Sequence, residues 1–324
     1  MIVWPVEPHT RAKHEILRRY LQAWTPILMQ GGFPEIVYVD GFAGPGRYSD
    51  GEDGSPVIAL RAALEYRERT GKIIRFEFVE RDEERADVLG EVIGELDTPN
   101  NFQIEIRGGE TFEMAFERIL DSFRGRRLPP TFAFIDPFGW TGVPFSIIQE
   151  IMRNPSCEVL VNFMYEEINR FLSLPNQEIH FDALFGTGEW REGRQLAEPQ
   201  ARKLFLHDIY YRQLREGANA KYVRSFEMRN NRDRVDYYLY YATNNILGLN
   251  KMKDAMWKVD ETGEFSFSDA TDTNQLVLLG NEPNFGQLRR QLLAHFGGRA
   301  ALVSEIEEYV LAETAFRRAH YSPT

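Results

Sequence analysis

Apolar and polar positions along the chain alternate between a helical and a strand period. Residues 10–30 place Ile16, Leu17, Tyr20, Leu21, Trp24, Ile27 and Leu28 three to four apart, which predicts an amphipathic helix. The run Ile36-Val37-Tyr38-Val39 then stops at Asp40, and the same theme returns in 73–80, 102–107 and 131–135. Helical spacing fills the intervals, over 57–69, 84–96, 112–123 and 145–153, before a fifth, nearly all-apolar run at 158–165. Strands separated by helices predict a parallel sheet, and the nearly all-apolar fifth run reads as one of its buried strands. Four of them end in succession at Asp40, Glu80, Gly108 and Asp136. That arrangement is a doubly wound α/β sheet with its ligands at the carboxyl edge.

Beyond the fifth strand the pattern changes. Residues 166–220 are helical and polar, too long for a simple crossover, and read as an insertion that could cover the site. Runs at 222–228 and 234–242, joined by Arg229-Asn230-Asn231-Arg232-Asp233, predict a hairpin that closes a mostly parallel, seven-stranded sheet with an antiparallel pair. A helix over 247–259 precedes a polar, Asp/Thr-rich connection with one short strand at 260–283. Helices over 284–296 and 304–314, with Ser304 and Thr314 as caps, resemble the beginning of a helix-turn-helix or winged unit. The chain stops at Thr324 soon after a third helix starts, so that unit reads as incomplete. The expected organisation is a core over 1–165, a helical insertion over 166–221, the sheet-closing hairpin and helix over 222–262, and a helical appendage over 263–324.

Composition narrows the chemistry. One cysteine excludes a disulfide framework and a thiolate zinc site, and Cys157, ahead of an apolar run, reads as a small buried hydrophobe. The six histidines are scattered without metal-ligand spacing, so no metal is expected. The start of the chain lacks a signal-peptide succession, and no apolar stretch approaches the roughly 20 residues of a membrane span, which gives a cytoplasmic expectation and no membrane partner. A net charge of −11 restricts any contact with DNA or RNA to a local patch. Between Trp190 and Tyr237, basic residues from Arg191 to Arg234 outnumber the acids, which is either such a patch or a solvated mixed-charge face.

The richest stretch is Asp40-Gly41-Phe42-Ala43-Gly44-Pro45-Gly46-Arg47-Tyr48, a strand running into a glycine turn. Its GxxGxG spacing is neither the dinucleotide fingerprint nor a P-loop, and a nucleoside cofactor without a pyrophosphate fits it better. S-adenosyl-L-methionine (SAM) is the candidate, because its methionine part needs close backbone approach and its ribose needs an acid on the next strand. Glu80 supplies that acid, while Asp82 or Glu83 suits a helix start, and the Gly109-Glu110 turn would bracket adenine. Ser55 before Pro56 has the form of a helix N-cap, and Lys13 and His14 could point at the turn, although solvation is the commoner fate of such residues.

Taken together, Lys13-His14 with Ile16-Leu17, the Asp40 to Tyr48 turn, Gly54-Ser55-Pro56, Glu80 and Asp136-Pro137-Phe138-Gly139 resemble the three-Cys-motif partner (TcmP) family over most of residues 10–260. That resemblance implies a Rossmann-like class I SAM-dependent methyltransferase associated with a separate three-cysteine, radical-SAM-like protein. More distantly, the chain is similar to the RlmJ-type ribosomal-RNA adenine-N6 methyltransferases. This likeness implies cofactor-facing roles for His14 and Ser55 beside Asp40, Gly41, Phe42, Ala43, Gly44 and Gly46. It also implies a ribose-holding Glu80, an adenine-facing Gly109-Glu110 turn and a catalytic Asp136. Two departures stand out: Phe42 replaces a histidine, and Phe138 replaces the second proline of the acid-Pro-Pro-aromatic signature. The expected reaction is N-methylation of a nucleic-acid base, with N–H bonds to the Asp136 carboxylate and the Pro137 carbonyl and with Phe138 or Trp140 stacked on the base. The alternatives are a loop cap at Asp136 and an apolar plug at Phe138 and Trp140. At the level of the whole chain they are a methyltransferase acting on a small molecule or protein, and a non-catalytic SAM-binding subunit. Oligomeric state is not legible.

Overall fold

The structure, a computed structural model, describes residues 5–66, 71–123, 127–260, 265–268 and 283–321. Five parallel strands form its centre: β1 (Glu35–Asp40), β2 (Ile73–Glu80), β3 (Phe102–Gly108), β4 (Thr131–Ile135) and β5 (Glu158–Phe163). With β6 (Tyr222–Arg229), β7 (Val235–Thr243) and β8 (Ser266–Ser268), the order is β3-β2-β1-β4-β5-β7-β6-β8. Strand order reverses between β1 and β4, so the crevice of a doubly wound sheet opens at the ends of those two strands.

The sheet departs from the seven mostly parallel strands expected: among the described residues it has eight and is mixed, because β7 runs antiparallel between β5 and β6 and the short β8 adds to β6 in parallel. The hairpin itself forms as read from the sequence, turning at Asn230 and at Asp233, whose φ is +56°. Burial explains which arm lies inside. In β7 only Asp236 is less than buried, whereas β6 carries half-buried Arg224, Ser225, Glu227 and Arg229.

Helices α1 (Pro8–Gln30), α2 (Ser55–Leu64), α3 (Glu83–Gly94), α4 (Phe112–Ser122), α5 (Phe145–Met152), α6 (Tyr165–Phe171), α7 (Glu178–Phe185), α8 (Pro199–Arg212) and α9 (Ile246–Val259) cover the two faces. Alternate residues of β1 divide between them: Ile36 and Tyr38 pack with α1, α2 and α9, while Val37 and Val39 pack with α4 and α5. The insertion builds onto the second face, where Ile168, Phe181, Trp190, Leu206 and Tyr210 are buried. Cys157 is buried there too, and desolvation pushes its thiol up to about 12.

At the C-terminus α10 (Phe285–Phe296), α11 (Val303–Glu313) and α12 (Arg318–Tyr321) close against α9. Lys253, fully buried, donates to the carbonyls of Val310, Leu311 and Thr314 at 2.9–3.0 Å, so a lysine satisfies the free carbonyls at the end of α11. Helix α11 starts after Leu302, so Ser304 lies inside it, while Thr314 does end it. The connection through 269–282, where a wing would fall, lies outside the described residues. Among the described residues no helix is long and apolar enough to cross a membrane.

Candidate active site

Strand β1 delivers Asp40 to the carboxyl edge, and the backbone must then reverse within six residues. Gly44 (φ +62°) and Gly46 (φ +79°) make that reversal in the left-handed region that side chains resist. They differ in surroundings. A Cβ on Gly46 would stand 2.6 Å from Leu89, whereas nothing lies within 4 Å of the place a Cβ on Gly44 would take. Gly44 is a cradle opening onto a hollow, and its N–H donates to Glu80 Oε2 at 2.9 Å. Glu80 Oε1 accepts from Asp82 N–H at 2.9 Å, and Asp82 in turn caps α3 through Arg85 N–H.

Two hollows adjoin here and share Phe42 and Phe138 as their common wall. The larger, about 500 Å³, is lined by Gly41, Glu80, Asp82, Glu110 and Thr111 among others. The smaller and narrower one runs past His14, Ala43 to Tyr48, Ser55 and Asp136. Glu110 accepts from Arg118 through Oε1 at 2.7 Å and keeps a buried Oε2 with no hydrogen-bond partner among the described residues.

Of the residues singled out from the sequence, His14, Gly41, Phe42, Ala43, Gly44, Gly46, Ser55, Glu80, Glu110, Asp136 and Phe138 line one hollow or both. Asp40, Gly109 and Pro137 line neither. Asp40 is fully buried beneath the turn, where it accepts from Phe42 N–H and Tyr38 Oη at 3.3 Å each and from the Ser55 hydroxyl. Burial raises its carboxyl to about 7, against the pull of those donors. Gly109, with φ +73°, packs on Glu83 and donates to the Glu80 carbonyl. Ser55 is not the N-cap of α2; Gly54 is, because the Ser55 hydroxyl is turned to Asp40.

Lys13 and His14, for which pattern alone favours solvation while the resemblance implies a cofactor-facing His14, are both 5% exposed. Burial and the neighbouring Lys13 lower His14 to about 3, so its ring, packed near Tyr48, is neutral. Asp136, with buried Pro137 next to it, stands just past β4. Its Oδ2 accepts from Lys13 Nζ at 2.5 Å and its Oδ1 from Asn162 Nδ2 at 2.6 Å. Phe138 is 67% exposed at the shared wall. Trp140, the other stacking candidate, is spent inside the insertion, against Phe171 (4.8 Å) and Phe181 (5.9 Å). Sequence reading missed Asn162, although a lone amide in the otherwise apolar Val159-Leu160-Val161-Asn162-Phe163 run was a signal that something polar waits at the strand end.

The basic stretch is largely committed within the fold. Arg191 and Arg194 bind Glu178, Arg191 also binds Asp182, and Arg202 binds the Leu196 carbonyl. Lys203 and Arg229 meet Glu227, Arg212 meets Glu189, and Lys221 meets Glu308. Arg224 is held by the Leu311 and Ala312 carbonyls.

No protein-family model and no curated protein matches the chain. Among solved structures, similarity extends to a Legionella pneumophila protein of the DUF519 family, 13% identical, covering 71% of this chain and 84% of that one with a TM-score of 0.42. It extends also to geranyl diphosphate methyltransferase with GPP and sinefungin (12% identity, 69% and 77% covered, TM-score 0.31) and with SAM (11%, 70% and 85%, 0.31). Similarity of this order assigns no activity; the two adjoining hollows form one trough, and its lining residues carry the chemistry.

Proposed function

We propose that the chain is a SAM-dependent methyltransferase acting on an exocyclic amino nitrogen of a nucleic-acid base. The observation that carries the reading is Asp136, a carboxylate on the smaller hollow, held from both sides and two residues from the exposed ring of Phe138. The residues fit the cofactor. Gly44 leaves room for close backbone approach, Glu80 offers remaining lone pairs to a diol, and the unpartnered Glu110 Oε2 awaits a donor in the larger hollow. Carboxylates at Glu80, Asp82, Glu110 and Asp136 suit a cationic ligand. Bound in the trough, SAM would supply an electrophilic methyl group as a sulfonium.

The chain's own part is positioning. Asp136 accepts one N–H of the amine and the Pro137 carbonyl the other, which holds the nitrogen lone pair out of the plane of the base. Phe138 stacks on that base, and Phe42 and Phe138 keep water from the wall between the hollows.

A second reading, with a small amine or protein acceptor, draws support from the basic residues of 191–229, whose charges are answered internally. Calorimetry with S-adenosylhomocysteine, followed by transfer of labelled methyl to single-stranded DNA, RNA and small amines, separates the readings. Turnover on polynucleotide that weakens steeply with salt supports the first, and turnover only on amines supports the second. Asp136→Ala is expected to abolish transfer while leaving homocysteine-analogue binding intact. Binding without turnover on any acceptor leaves a non-catalytic SAM-binding subunit, and absence of binding removes the proposal.

A further inference from the structure

The cluster around Asp136 holds more hydrogen-bonding capacity than it uses. An ammonium carries three donors, and Lys13 Nζ spends one on Asp136 Oδ2 at 2.5 Å while lying 5.3 Å from the centre of the Tyr237 ring. Among the described residues it has no second acceptor, yet the residue is only 5% exposed. On the other side, Asn162 Nδ2 is spent on Asp136 Oδ1, and its own Oδ1 is buried with no partner among the described residues. Unmet donors and acceptors at this depth are costly unless a ligand completes them.

The arrangement also says which ligand. A carboxylate alone accepts from any N–H group. A carboxylate with an ammonium at its side is an acceptor next to a donor, and its complement is a donor next to an acceptor. An exocyclic amine beside a ring nitrogen, the amidine edge of adenine, cytosine or the 2-amino group of guanine, has that form. An alkyl amine or a lysine side chain does not. The pair is neutral overall, so Lys13 adds this selectivity without placing an uncompensated positive charge beside a sulfonium.

We infer that Lys13 is a specificity residue that donates to the ring nitrogen next to the amine held by Asp136, so that the enzyme takes amidine-type nitrogens and passes over isolated amines. The inference rests on the methyltransferase reading given above.

It is tested by a cycle that removes each partner in turn. Single-stranded oligonucleotides carrying adenine or 1-deazaadenine, and cytosine or 3-deazacytosine, are methylated by the wild-type chain and by Lys13→Met. Loss of the ring nitrogen is expected to lower wild-type kcat/KM about tenfold or more, and to lower that of Lys13→Met by less than about twofold, because the donor has already gone. A merely structural lysine would give the same deaza penalty in both proteins, and that result overturns the inference. Lys13→Arg, which keeps a donor, is expected to keep part of the penalty. Should Lys13→Met fail to fold, the wild-type arm decides alone, since indifference to the ring nitrogen also overturns it. Bound S-adenosylhomocysteine with no transfer to any base removes the methyltransferase reading and this inference with it, an outcome distinct from transfer without a deaza effect.

Discussion

Gly44 gives its backbone N–H to the Glu80 carboxylate at 2.9 Å, so the glycine turn after β1 is tied to the acid that ends β2. The same carboxylate also takes the Asp82 N–H at the entry to α3, and one side chain therefore sets two backbone segments around the larger hollow. Glu80→Ala is expected to weaken S-adenosylhomocysteine binding by roughly 10- to 100-fold, the scale of a lost hydrogen bond to a charged group plus a loosened turn. Glu80→Gln, which keeps one acceptor, is expected to lose less. Calorimetry on both variants checks the order, and equal affinities in all three proteins would sink it.

The two turn glycines are expected to fail differently. Gly46→Ala forces a Cβ to 2.6 Å from the Leu89 side chain at a φ of +79°, and should cost roughly 1–3 kcal/mol of stability. Gly44→Ala meets open space, so its stability loss should be the smaller, roughly 1 kcal/mol from the left-handed backbone alone. Its methyl group points where ligand would lie, and the larger effect should be on cofactor affinity. Paired denaturant titrations and binding measurements would show the opposite ranking of the two variants in the two assays.

Asp40 predicts a pH dependence. Its carboxyl is raised by burial to about 7 in the folded chain, against 3.8 ordinarily, so the folded state binds its proton more tightly than the unfolded state. The stability it contributes is therefore complete below about pH 4 and is lost as pH rises through about 7. Asp40→Asn keeps an acceptor for Phe42 N–H, and the Tyr38 and Ser55 hydroxyls can reverse to accept from the new amide. The wild-type melting temperature is expected to fall between pH 5 and 8 by several degrees more than that of Asp40→Asn. Parallel pH profiles would show that this carboxyl does not titrate in the window.

Phe138 and Trp140 separate function from packing within one loop. Phe138 is 67% exposed, so Phe138→Ala should leave the melting temperature nearly unchanged and lower kcat/KM for a base acceptor by roughly 10-fold or more through lost stacking. Trp140 is wedged between Phe171 and Phe181, so Trp140→Ala should cost roughly 3 kcal/mol, read as a lower denaturation midpoint. Comparable melting temperatures for the two variants would contradict this division.

Much of this organisation was legible in the order of residues. Apolar runs ending in Asp40, Glu80 and Asp136 mark strand ends, whereas a carboxylate inside a strand, such as Glu77, is buried only against a charged partner, here Arg107. The glycines at 44 and 46 mark a turn that only a residue without a Cβ makes cheaply. Local pattern carries such information because each signal is a property of a few consecutive residues.

What no stretch of sequence holds is the pairing of segments far apart. Lys13 and Asp136 are separated by 123 positions, and Asn162 meets Asp136 across the gap between two strand ends. Burial of Lys13 and His14, removal of Trp140 from the trough, Ser55 turning to Asp40, and the neutralisation of the basic stretch are all consequences of packing. The short strand expected within 260–283 forms as β8, but its place as an eighth strand on the open edge of β6 was decided by the same kind of distant pairing. Periodicity and turn chemistry therefore determined the core sheet and the location of its crevice. Tertiary contact alone decided which charges there are paired, which are buried and which still lack a partner, because burial and pairing are relations between distant residues and belong to none of them singly.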